Sequence, residues 1–305
     1  MELTTCKLYG VQRKRDLANI LKINCKEINK IVNSYKPYIA NKSKKRLIEP
    51  VNSVELKKVQ KKIQNLLKEI EYDSNVFSGI SGRSYIDNGR LHLGCEYVVA
   101  LDISKFFPNT SREKVYRFFK YDMKNSSDIA EILTDLCTID LNNIADIDEE
   151  VIKYINENKI RYKKHIPTGS SISCILSYLV NYKMFDEIVK LGEEYHCKTS
   201  IYVDDIVISS TEGINKQLID RVMVIIKSSG YSIQKTKLKF YGKNEFKRVT
   251  GNIISKDGTN LVIPNKIRYK MIKLKKNREI EKAKKESKLK GYNQVILQIN
   301  RKNIL

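Results

Sequence analysis

The chain has 305 residues, a formal net charge of +22 and a pI near 9.6, so it exceeds one average domain and favours a polyanionic partner. An anionic membrane is the competing reading of the charge, but no apolar run approaches the roughly 18 residues of a membrane span and the amino terminus lacks a signal-like core, so the expectation is a cytoplasmic protein with no membrane partner. The six scattered cysteines form no Cys-x-x-Cys pair and there are only three histidines, so any metal ligands must be carboxylates.

In chain order, Leu17, Ile20, Leu21, Ile28, Ile31 and Val32 predict two short amino-terminal helices. A basic extended segment, Lys42 to Pro50, follows. Ser53 then caps a helix whose Leu56, Val59, Ile63, Leu66, Leu67 and Ile70 recur every three or four residues. Residues 78–84 read as a glycine-punctuated loop, with 88–95 linking it to a buried strand, Tyr97 to Leu101, that ends in Asp102. Arg112 to Lys120 reads as a helix. Between Tyr121 and Ile160 there are ten acids against three bases, read as a surface helix-loop insertion over 121–165.

Pro167-Thr168-Gly169-Ser170-Ser171 is a turn that opens a helix with an apolar stripe from Ile172 to Met184. Tyr202-Val203-Asp204-Asp205, between two apolar runs, reads as the tip of a β-hairpin. A helix from about Lys216 to Ser228 ends at Gly230. Leu238 to Tyr241 and Arg248 to Ile254 read as two strands joined through Gly242-Lys243-Asn244 as a hairpin. From Lys256 onward there are fifteen bases against four acids, predicting a helical tail that meets the polyanion or presents a solvated face.

The strand bearing Asp102 and the hairpin bearing Asp204 and Asp205 predict an α+β sheet that clusters three carboxylates. Carboxylates so crowded repel one another unless divalent cations neutralise them, which points to a two-metal site for phosphoryl or nucleotidyl transfer. A bare Asp-Asp pair is ordinarily an exposed turn. The upstream strand ending in an acid, with Phe106-Phe107 beyond it, sets this pair apart.

Together, Leu101-Asp102-Ile103-Ser104-Lys105-Phe106-Phe107-Pro108, Ile166-Pro167-Thr168-Gly169-Ser170-Ser171-Ile172-Ser173 and Tyr202-Val203-Asp204-Asp205 resemble the palm of a reverse transcriptase. Asn88-Gly89-Arg90-Leu91-His92 and Val249-Thr250-Gly251 are similar to the Asn-Ala-x-x-His and Val-Thr-Gly motifs of the bacterial retron subset. The chain departs from the commoner pattern at Thr168 (usually Gln), Cys174 (usually Pro) and Gly89 (usually Ala).

The resemblance implies a right-hand polymerase with residues 1–98 as helices and fingers, 99–255 as a ferredoxin-like palm and 256–305 as a short basic helical thumb. Within the palm, 166–190 would be the nucleotide-binding turn and helix. It makes Asp102, Asp204 and Asp205 the catalytic metal ligands, with the Ile103 carbonyl as a fourth, for two Mg²⁺ ions or Mn²⁺ in their place. Nucleotide binding falls to Lys45, Arg46, Arg83, Thr168, Gly169 and Ser170, to Phe107 as a sugar gate, and to Lys235 as a general acid. Each of these cations is read equally well as surface-solvated, and Phe107 as a core ring. RNA binding falls to Asn88, His92, Val249, Thr250, Gly251, Lys266, Arg268, Tyr269, Lys270 and Lys273; a hydrogen-bonded loop histidine is the competing reading of His92. The implied activity is RNA-directed DNA synthesis from dNTPs on a structured non-coding RNA, yielding an RNA/DNA hybrid in an antiphage system with an effector protein. The alternatives are another defence-associated reverse transcriptase, an RNA polymerase with the same metal chemistry, and a catalytically silent RNA-binding scaffold.

Overall fold

The structure, a computed structural model, describes residues 1–26, 28, 34–41, 45–144, 146–276 and 281–300, without the side chains of Lys235 and Lys282. The second amino-terminal helix expected over Ile31 and Val32, and Lys42 to Lys44 of the basic segment, lie outside the described residues. Helix α1 (Lys14–Leu21) buries Leu17, Ala18 and Leu21 and stops at Lys22, whose φ of 56° is left-handed. Strands β1 (Tyr38–Asn41) and β2 (Lys45–Ile48) pair antiparallel. Helix α2 (Val54–Leu67) begins where the Ser53 hydroxyl accepts the Leu56 N–H, and it buries the expected apolar stripe together with Gln60 and Gln64.

The link expected over 88–95 is largely helical. Helix α3 (Tyr85–Leu91) starts in a capping box in which Ser84 and Asp87 satisfy each other's backbone N–H groups. Strand β3 (Tyr97–Asp102) leads into the short α4 (Phe106–Asn109) and α5 (Arg112–Arg117).

The reading of 121–165 as surface is corrected for its first half. Helix α6 (Ser127–Cys137) puts Asp128, Glu131 and Asp135 outward but buries Ile129, Ala130, Leu133 and Leu136, packing on α2 and α5. Acid count obscured an amphipathic core helix. Strands β4 (Ile139–Asp140) and β5 (Lys164–His165) form a second small ladder, with α7 (Glu149–Glu157) between them.

Helices α8 (Ser173–Val180) and α9 (Tyr182–Glu194) lead to the hairpin of β6 (Lys198–Tyr202) and β7 (Asp205–Ser210), and α10 (Lys216–Ser228) ends at Gly230, φ +84°. Strand β8 (Lys239–Tyr241) does not pair with the next strand, as the sequence suggested, but joins β3 to complete an antiparallel sheet of order β6-β7-β3-β8. The hairpin lies one element later, between β9 (Lys247–Val249) and β10 (Asn252–Ile254), because Thr250 and Gly251 both have positive φ, as a two-residue turn of type I′ requires. Strand β11 (Leu261–Val262) flanks β10, and α11 (Asn265–Lys276) packs on α12 (Lys282–Asn300). No helix among the described residues is long and apolar enough to cross a membrane.

The four-stranded sheet is covered on both faces. Val99, Leu101, Ile201, Ile206 and Ile208 join the main core with the helices, while Val98 and Val207 on the opposite face meet Val249 and Ile254. The sheet is thereby rigid where β3 ends and β7 begins.

Candidate active site

Asp102 ends β3 directly opposite Asp205, which begins β7. Such cross-strand partners place their Cβ atoms about 4.5–5.5 Å apart. The turn before Asp205 contains only Val203 and Asp204, and Val203 takes a φ of 60°. That conformation is costly for a β-branched residue; packing of Val203 on the core and the Ile103 N–H, which donates to the Asp204 carbonyl at 2.9 Å, hold it in place. Residues 232–237 close the third side: Ser104 N–H donates to Ser232 and Gln234 N–H to the Asp102 carbonyl.

The electrostatics follow from this crowding. Burial, and then the Asp102 charge, raise the Asp204 carboxyl to about 6. Burial, Asp204 and Asp102 raise Asp205 to about 7. Lys237 opposes both shifts, and its ammonium forms an ion pair with Asp102 at 2.5 Å. Arg46 also lowers Asp204, and Arg248 lowers Asp205. Among the described residues no three acidic, histidine or cysteine side chains are already gathered as a metal cage. The three aspartates nonetheless fit divalent ions in donor chemistry: they are all-oxygen, largely buried, and mutually repulsive in the absence of positive charge.

The turn Pro167–Ser171 is held from beneath by α2. Ser170 donates to Gln60 Oε1 at 2.6 Å, and Gln64 donates to the Ser171 carbonyl at 2.7 Å. Gly169 has a φ of +108° and lies against Ile48, with only 3.2 Å from an added Cβ to the Ile48 methyl. Cys174, at the start of α8, has its thiol pushed up by burial and by the Asp204 charge, which brings this segment next to the acids.

The expected nucleotide-binding residues divide. Arg46 faces the acid cluster electrostatically, whereas Lys45 is exposed and paired with Glu150 at 3.0 Å. Arg83 is turned to the backbone, donating to the carbonyls of Tyr72, Asp73 and Val76. Phe107 is half-buried at the core's edge; Phe106 is buried against Phe185 and Tyr231. Both rings lie on the helical α4. The side chain of Lys235 lies outside the described residues, and Lys237, two positions on, is the lysine that reaches the cluster. Sequence reasoning missed Lys237 and Arg248; three lysines at alternate positions after Gly230, Lys235, Lys237 and Lys239, were the available signal for the first.

The family model for reverse transcriptase (RNA-dependent DNA polymerase) matches residues 12–253. The chain belongs to the reverse transcriptase family. It is 29% identical over 231 residues to the retron Se72 reverse transcriptase of Salmonella heidelberg (strain 579083-10), covering 72% of this chain and 50% of that protein. It is 22% identical over 215 residues to the retron Ec86 reverse transcriptase of Escherichia coli, covering 70% and 58%. This reverse transcriptase thus spans about half the length of the curated relatives it matches. Among solved structures it is similar to apo telomerase from Candida tropicalis truncated from the C-terminal domain, with a TM-score of 0.47, 13% identity and coverage of 76% and 55%.

The two motifs that resemble the retron subset meet in space. Asn88 donates to the Thr250 hydroxyl at 2.6 Å, and Asn252 donates to the Tyr85 carbonyl at 2.5 Å. Gly89 stands where the family usually has alanine because a Cβ there would lie 2.9–3.1 Å from the Asn252 side chain. His92 is fully buried between Ser209 and Ser200, each 2.7 Å from one ring nitrogen. The expectation that Asn88, His92 and Val249 contact RNA is therefore corrected: all three are fully buried, and His92 ties α3 to both strands of the catalytic hairpin. Thr250 and Gly251 lie at the turn, and Lys266, Arg268, Tyr269, Lys270 and Lys273 are exposed along α11.

Proposed function

We propose that this reverse transcriptase is the polymerase portion of a retron-type RNA-directed DNA polymerase. Residues 1–98 serve as fingers, 99–255 as palm and 256–305 as a basic thumb. The observation that carries this reading is the register of Asp102 against Asp205 beside Asp204, with two of the three carboxyls raised by burial and then by one another's charge. Asp102, Asp204, Asp205 and the Ile103 carbonyl would hold two Mg²⁺ or Mn²⁺ ions. Ions held by these residues would supply activation of a primer hydroxyl and neutralisation of charge on the transferring phosphoryl group and pyrophosphate. Arg46 steadies the triphosphate, the Thr168–Ser170 turn receives base and sugar, and Lys237 takes the proton-donor role first assigned to Lys235.

The template is a structured non-coding RNA, the substrates dNTPs, and the product an RNA/DNA hybrid; the biological setting is antiphage defence with an effector protein. Incubating purified protein and its bound RNA with Mg²⁺ and either dNTPs or rNTPs tests the reading. DNA synthesis is expected with dNTPs only. Synthesis from rNTPs alone would make it an RNA polymerase, and none from either would leave an RNA-binding scaffold.

Phe107 supplies a sharper check. Its ring is expected to exclude a ribose 2′-hydroxyl, so Phe107→Val should relax dNTP over rNTP preference by about 10- to 200-fold in kcat/KM, the range open to a pocket-shape change. Unchanged discrimination would return Phe107 to the core.

Exposed cations along α11 give a second expectation. RNA affinity should fall steeply between about 50 and 200 mM salt as each counterion released from the phosphates gains less entropy, and Lys270→Ala with Lys273→Ala should reduce the slope of log K against log salt by about two. A salt-insensitive complex would remove this helix from the RNA surface.

A further inference from the structure

Two titratable groups away from the acid cluster have no part in the chemistry above. Glu49 follows β2 and His165 ends β5, and both are completely buried. His165 Nε2 lies 2.9 Å from Glu49 Oε1, and Nδ1 lies 2.7 Å from the Tyr162 carbonyl. A carbonyl only accepts, so Nδ1 carries a hydrogen, and one further proton lies between Nε2 and the carboxyl. The pair is neutral as a unit, which is what allows it to sit out of water.

Glu49 has a second engagement. Its other oxygen accepts the Thr168 N–H at 2.8 Å, while its own N–H donates to the Thr168 carbonyl at 2.6 Å. Side chain and backbone together bind residue 49 to residue 168 with no slack. Its neighbour Ile48 fills the space beneath Gly169, and three residues upstream lies Arg46, whose charge lowers the Asp204 carboxyl. Strand β2 and the 167–171 turn therefore move as one body, joined at a buried, fully satisfied polar node.

We propose that the Glu49–His165 pair is the positioning device of the dNTP site: it sets Arg46 and the Thr168–Ser170 turn at a fixed distance from the three aspartates. This rests on the polymerase reading of the cluster. An ordinary core contact would support the fold as a whole; a positioning pair acts on substrate affinity through Arg46.

The test uses the whole chain with its bound RNA. Glu49→Gln keeps an acceptor for the Thr168 N–H and offers an amide hydrogen to a neutral His165, so KM for dNTP should stay within about threefold of the parent. Glu49→Ala strands both partners and should raise that KM at least about tenfold, with kcat and RNA affinity changed less than about threefold. In an Arg46→Ala background the same substitution should raise KM clearly less than it does in the parent, because one of the two groups the pair positions is gone and only the turn remains. Equal losses in Glu49→Gln and Glu49→Ala, a fall in kcat and RNA affinity matching the KM change, or full additivity with Arg46→Ala would overturn the proposal.

Wild-type failure to synthesise DNA would instead sink the polymerase reading. The dNTP-induced rise in melting temperature in Mg²⁺ then decides the pair independently. Loss of that rise in Glu49→Ala and retention in Glu49→Gln upholds it; no rise in the wild type, or one indifferent to Glu49, overturns it.

Discussion

Asp204→Asn and Asp205→Asn should each lower DNA synthesis by at least about a thousandfold, since a bound metal supplies several kcal/mol of transition-state stabilisation and each 1.4 kcal/mol is tenfold. RNA affinity should stay within about twofold, because on the proposed reading the exposed lysines and Arg268 of α11 make the phosphate contacts. Stability should move the other way. Both carboxyls are held high by burial and by neighbouring acids, at about 6 and about 7, so ionising them costs the folded state. A folded-state pKa above the unfolded value favours folding below the unfolded pKa, near 4, and that benefit is lost as pH rises through 6 to 7.

Asparagine removes the charge. Without metal, each variant should therefore melt above the wild type at pH 8, by about 2–6 °C for about 1–2 kcal/mol, with the gap narrowing towards pH 5. Melting curves at the two pH values, with and without Mg²⁺, check this. Retained synthesis in either variant would remove the carboxylates from catalysis, and a lower melting temperature at pH 8 would show that their repulsion is not what the fold tolerates.

His92→Ala should lower stability by about 2–4 kcal/mol, because it opens a cavity and leaves the buried Ser200 and Ser209 hydroxyls without their partner. The melting temperature should fall by roughly 5–12 °C. Burial, and secondarily the Lys198 charge, push the imidazole down to about 3. The unfolded chain therefore takes up the proton first as pH falls. Stability contributed by neutral His92 is whole above about 6.5 and is lost between 6.5 and 3. The wild-type advantage over His92→Ala should shrink across that window, which thermal melts from pH 7 to pH 4 would show. A variant that melts like the wild type but binds RNA weakly would restore the RNA-contact reading.

Much of the site could be read from residue order because its elements carry their own end signals. The apolar run before Asp102, the two-residue turn at 203–204 and the Ser53 cap are local features, and each lies where expected. What escaped notice depends on distant partners. Strand β8 resembles half of a hairpin until β3 is seen to be its neighbour. Arg83 looks like a phosphate ligand, but its acceptors are main-chain carbonyls, which no side-chain pattern reveals. Helix α3 was concealed by its internal Gly89, although the Ser84 and Asp87 spacing announced it. Lysine spacing after Gly230 indicated the right segment, but the pairing of the Lys237 ammonium with Asp102 depends on β3 lying beside the single helical turn over Lys235–Lys237.

The left-handed valine at residue 203 makes the hairpin tip a spring already compressed when the chain folds. Because β3, the core and the Ile103 N–H hold it shut, the adjoining aspartates would have little orientational freedom left to surrender to the divalent ions proposed there. On that reading, readiness for catalysis is laid down at biosynthesis rather than assembled at each turnover.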